Sequence, residues 1–156
     1  MIKILSSFIL LFSFVLFSAR TSDAKTRSDV LGISIGMSHE EANKRLQKIG
    51  KLEKNESKLQ EVWALTNDAN YSHLIVGFDK ETNEVRFVTA KAHTEGKRVR
   101  YKDVLDVKKA KQTGTINNYK YIQEIPARGK KVAYKLIAMG KNADYLTYFS
   151  IEKYYK

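Results

Sequence analysis

Cysteine is absent from this chain of 156 residues, and proline and tryptophan occur once each. Without thiols there is no disulfide to constrain the unfolded state, no sulfur ligand for a structural zinc, and no acceptor for a lipoprotein's acyl chain. Stability then has to come from packing. The single proline, Pro126, lies in a loop pattern and leaves the rest of the chain free to pair as sheet. Histidine is scarce as well: His39, His73 and His93 stand far apart, without the short spacing of a metal motif. No Gly-x-Ser-x-Gly elbow, phosphate-binding loop or dinucleotide fingerprint occurs. Glu40 and Glu41 are adjacent carboxylates, but neighbours on a helix point about 100° apart, so capping explains them better than acid–base chemistry. These absences lead us to expect no catalytic residue, no metal and no cofactor.

Long apolar runs are lacking too, with one exception. After Met1-Ile2-Lys3 the chain is apolar from Ile4 to Phe17, interrupted by Ser6, Ser7 and Ser13. That run is shorter than the roughly 20 apolar residues that span a bilayer. A charged start, an apolar middle and Ser22-Asp23-Ala24 match a secretory signal. The expectation is a cleaved signal peptide over 1–24, a flexible polar lead-in over 25–32, and a single domain over 33–156. A cysteine-free exported domain fits a bacterial envelope, placing the protein in the periplasm or outside the cell, and not as a lipoprotein.

Charge of negative sign is in short supply in one segment. The whole chain carries +11, with 28 basic and 17 acidic side chains. Residues 25–90 are balanced, whereas residues 91–135 hold 13 basic and 4 acidic residues. Arg98, Arg100 and Lys102 alternate with Val99 and Tyr101, so an extended chain would line them on one face. Lys108, Lys109 and Lys111 follow, and Arg128, Lys130 and Lys131 form a second cluster in a loop. Clustered cations attract anions over long range, in a salt-sensitive way. For an exported protein, an anionic envelope polymer or lipid head group is a more plausible partner than nucleic acid. The competing explanation is a solvated surface that keeps a small protein soluble.

The remaining pattern is regular. Ser38 followed by Glu41 forms a capping box, and Ala42, Leu46 and Ile49 supply one apolar face, so a helix is expected to run to Gly50 as its C′ residue. Period-two alternation then predicts strands at Leu59–Thr66, Tyr71–Asp79 and Glu84–Ala92. Tyr101–Lys111 reads as a short second helix, and Asn118–Ile125, Lys131–Met139 and Tyr145–Lys153 as three more strands. The expected class is α+β: an antiparallel sheet of about six strands, as two three-stranded meanders, with one or two helices packed on one face. Tyr119 and Tyr121 share a strand face and are an aromatic contact candidate, weighed against plain sheet propensity.

The run Ile33-Ser-Ile-Gly36-Met37-Ser38-His-Glu40-Glu41, with Leu46 and Gly50 beyond it, resembles the opening of two related module types. One is the SmpA/OmlA type of outer-membrane assembly protein, the other the β-lactamase-inhibitor-protein-like repeat. The resemblance extends in element order to residue 92. It implies antiparallel strands after the helix and a sheet face or edge that meets another protein, and it carries over no functional residue. The chain departs from it at the missing lipid-accepting cysteine and at Lys51-Leu52, where a proline is common. The leading functional expectation is an exported, non-enzymatic binding module with a basic surface, associated peripherally with membrane or with another envelope protein. The alternative is a small exported hydrolase or transferase whose site is assembled from scattered residues.

Overall fold

The computed structural model describes residues 27–57 and 59–154. The signal peptide expected over 1–24 lies outside the described residues. The described part of the lead-in expected over 25–32 is ordered from Asp29 onward. Asp29–Val30 (β1) and Ile33–Ser34 (β2) form a tight hairpin whose turn residues Leu31 and Gly32 have φ of 52° and 83°, the signs a two-residue primed turn needs. Asp29 accepts the Gly32 N–H at 3.0 Å, and Val30 and Ile33 are fully buried. Two apolar side chains in a polar stretch are enough to tie it to the core.

The helix α1 spans His39–Ile49. Ser38 caps it, its Oγ accepting the Glu41 N–H at 3.3 Å. Glu40 pairs with Lys44 and Glu41 with Arg45, each at 2.6 Å, the favoured acid-before-base order at i, i+4. Ala42 and Leu46 are buried, as their spacing requires. Gly50 ends the helix for a different reason from the one its sequence position suggests. Its backbone is extended, not left-handed, and a Cβ there would stand 2.5 Å from the Ala64 carbonyl oxygen. Close backbone approach, rather than a positive φ, demands glycine.

Eight strands form one antiparallel sheet: Gly50–Ser57 (β3), Gln60–Leu65 (β4), Tyr71–Phe78 (β5), Val85–Ala92 (β6), Lys111–Thr115 (β7), Asn118–Ile125 (β8), Tyr134–Gly140 (β9) and Tyr148–Lys153 (β10). Their order is β3-β4-β5-β6-β10-β9-β8-β7, two four-stranded meanders joined where β6 pairs with β10. The α+β class and the antiparallel sheet hold, but six strands become eight. Each meander gains one leading strand, β3 or β7, at a sheet edge. Both are polar and exposed, so neither shows the alternation that betrays a half-buried strand.

Of the one or two helices expected, one forms among the described residues, and the connector Tyr101–Lys111 is not the second. Only Tyr101–Asp103 forms a 3-10 turn, followed by a separate turn closed by Lys109 and Ala110 N–H donation to the Asp106 carbonyl. Between them the Asp106 N–H donates instead to the side-chain oxygen Oε1 of Gln123 on β8, at 2.9 Å. That bond takes the donor a continuous helix would need. Val104 and Leu105 still reach the core.

One face of the sheet is covered. Trp63, Leu74, Ala90, Phe149, Ala138 and Tyr121 are successive cross-strand partners, and all are buried. The next row, Glu61, Val76, Val88, Ile151, Leu136 and Gln123, is buried too. Helix α1, the β1–β2 hairpin and the 99–105 segment pack onto these rows in a single core.

Candidate binding surface

The alternate residues of the same strands point the other way, and no helix or strand among the described residues packs over them. Down the middle run Val62, Ile75, Thr89, Ser150, Ile137 and Ile122, again partner to partner. Thr89 and Ser150 share a hydroxyl–hydroxyl bond of 2.9 Å at the junction of the two meanders, so the stripe is apolar at both ends and polar at its centre. On one side lies Ala64, His73, Lys91, Tyr148, Met139 and Lys120. On the other, Gly77, Phe87, Glu152, Lys135 and Glu124 follow one another. Phe87 lays its ring over Gly77, where a Cβ would come within 2.0 Å of the ring. The result is a broad amphipathic face with three lysines on it, Lys91, Lys120 and Lys135.

The basic residues singled out from sequence do not gather into one patch. Arg98 and Arg100 meet at a shallow cleft of about 440 Å³ lined by Gly96, Lys97, Asp103 and Tyr145. Arg98 stacks over the Tyr145 ring at 5.3 Å from its centroid. Arg100 is held by Asp103, with Nη2 to Oδ1 and Nε to Oδ2 both at 3.2 Å. Desolvation acts to raise the Asp103 carboxyl, but the Arg100 side-chain and backbone donors outweigh it and hold it below the usual range. Lys102 is exposed beside this cleft. Lys108, Lys109 and Lys111 lead into β7, with Lys109 paired to Asp106 at 3.3 Å. Arg128, Lys130 and Lys131 sit in the β8–β9 loop, where Arg128 and Lys131 exchange backbone bonds. That loop is at the far end of β9 from Tyr145, a separation of about 20 Å for a seven-residue strand. Lys130 and Lys131 instead line a cleft of about 420 Å³ with Glu84 and Tyr134.

Tyr119 and Tyr121 do share a face, and it is the covered one. Tyr121 is packed against the Tyr101 ring, centroids 4.7 Å apart. Tyr148 and Tyr145, which strand alternation alone could not rank above the other tyrosines, are the ones that face outward on the sheet and at the Arg98 cleft. Lys91, Lys120 and Lys135 were missed because they are scattered in sequence and become neighbours only through strand order.

The histidines lie apart. His39 Nε2 bonds the buried Glu61 carboxylate at 2.8 Å, and Trp63 Nε1 donates to its other oxygen at 2.9 Å. Asn43 Nδ2 also lies 3.1 Å from His39 Nε2, and Asn43 Oδ1 is buried without a partner. If Nε2–H donates to Glu61, exchanging the Asn43 amide atoms lets the same hydrogen reach an acceptor. His39 is wedged over Phe78 at 4.1 Å, so this network fastens the start of α1 to the sheet. His73 pairs with Glu53 at 3.2 Å, and His93 bonds the Asp68 carbonyl at 3.0 Å. None of the clefts described here is lined by a histidine. Among the described residues no group of His, Asp and Glu is placed to hold a metal, and no helix is long and apolar enough to cross a membrane.

No family model, curated protein or solved structure matches this chain.

Proposed function

We propose that this chain is an exported, non-enzymatic binding module that holds a protein or an anionic envelope component on the uncovered face of its sheet. The observation that carries the reading is the amphipathic face itself, a half-buried stripe from Val62 to Ile122 that is apolar at both ends and bordered by Lys91, Tyr148 and Lys120. Apolar side chains that stay partly open to solvent on a face rimmed by polar groups are what interaction sites present. The lysines on the face and the Arg98 cleft add long-range attraction for negative charge. The apolar run at residues 4–17 supports export.

The test is capture from an envelope extract by the immobilised chain at low and high salt. Wild type should retain a partner that salt releases in part. Ile75→Asp with Tyr148→Glu should abolish retention, and neutralising Arg98, Arg100 and Lys102 to Gln should weaken it and flatten its salt dependence. Retention unchanged in both variants would remove the face and the basic stretch from the binding function.

A further inference from the structure

The two edges of the sheet are built differently. The β3 edge carries Lys51, Glu53, Lys54 and Glu56 and is broken by two register irregularities against β4. Charges and bulges of this kind keep an edge from pairing with another chain. The β7 edge, Lys111-Gln112-Thr113-Gly114-Thr115, pairs with β8 in unbroken register and has one charge. Its two threonines favour strand conformation. Gly114, at φ 113°, puts no side chain in the way of an approaching backbone. A groove of about 590 Å³ runs along the same residues to Ile116 and Tyr119. Ile116, 86% exposed at the hairpin tip, is an apolar side chain with nothing to cover it among the described residues.

We infer that the β7 edge takes up an extended segment of a partner protein as a ninth strand, and that this segment alternates acidic with apolar residues. The alternation follows from the sheet. Lys111 and Thr113 continue the rows of the uncovered face, and Lys120 is the cross-strand partner of Thr113. Side chains of an added strand that point to this face lie beside Lys111, with Lys120 one strand further in behind Thr113, and neither lysine has an ion pair among the described residues. Those pointing to the other side lie beside Gln112 and Gly114 along the groove. A second copy of this chain is a poor occupant, because two molecules of charge +11 repel at a lysine-flanked edge. Main-chain hydrogen bonds would supply the affinity and the alternating side chains the selectivity. The edge shares Lys120 with the face proposed above, but Lys111 and Ile116 lie outside the residues changed in that test, so the two readings fail independently.

The test uses the full chain and a fluorescein-labelled peptide of four Glu-Val repeats, with a Glu-Pro peptide of equal charge as control. Anisotropy should show saturable, salt-weakened binding of the Glu-Val peptide, at least about tenfold tighter than Glu-Pro, in which every second residue lacks an amide donor and is held away from the extended φ of an antiparallel ladder. Amide exchange at residues 111–115 should slow on binding, with β3 amides unchanged. Lys111→Glu and Ile116→Asp, both exposed positions, should each lower affinity by about fivefold or more while leaving the far-ultraviolet spectrum intact. Equal affinity for the two peptides, or binding without slowed exchange in β7, would overturn the inference. So would sedimentation showing that the chain already pairs with itself through this edge.

Discussion

Glu61 is the residue on which the start of α1 depends most. Its carboxylate accepts from both the part-exposed His39 and the buried Trp63, so Glu61→Ala strands the Trp63 N–H and releases His39 to water. The expected loss is about 1–3 kcal/mol, the cost of one buried unpaired donor. Trp63, the sole tryptophan, reports it directly: urea unfolding followed by its emission should move to lower midpoint, and the native spectrum itself should shift. Gly77 gives a second residue-scale prediction. Gly77→Ala forces the Phe87 ring aside and should cost about 1–3 kcal/mol. Combining it with Phe87→Ala should cost less than the sum of the two singles, a coupling that a double-mutant cycle measures.

Elements were legible where one face is buried and one is not. The capped helix could be placed from sequence because Leu46 against Lys48 reveals which side is inside. Asn118–Ile125 could be placed as a strand by its alternation, but Tyr121 and Ile122 are both hydrophobic, so the pattern did not say which of them faces the core. β3 and β7 could not, because at an edge neither face is deeply buried and no selection for alternation acts. The connector at 101–110 failed in another way, its helical pattern overridden when Gln123 captured the Asp106 N–H. At this scale Ser38→Ala should lower stability by about 1 kcal/mol, read from a shifted unfolding midpoint with an unchanged m-value.

For the molecule as a whole, three tyrosines couple stability to alkaline pH. Burial raises Tyr71 and Tyr134, and raises Tyr101 to about 12. An unfolded tyrosine ionises near pH 10, so above that pH the unfolded chain holds fewer protons than the folded one. The stabilisation is therefore complete below about pH 10 and is lost as pH rises toward 12. Urea midpoints should fall steeply between pH 10 and about 12, and Tyr101→Phe should reduce that slope while forfeiting the hydrogen bond to the Asn142 carbonyl. A slope unchanged in the variant would mean that Tyr101 ionises equally in both states.

By itself the sequence determined the local chemistry: the cap at Ser38, the alternation of most strands, the absence of thiols and the excess of positive charge after residue 90. These depend on neighbours in the chain, and neighbours in the chain are what a sequence displays. Tertiary structure alone decided which residues share a surface. It split Arg98 from Arg128 by the length of a strand, turned Tyr121 into the core, and brought Lys91, Lys120 and Lys135 onto one face. It also set β7 at an open edge. The physical reason is that strand order and register place residues tens of positions apart within about 5 Å of one another, and charge and burial act through space.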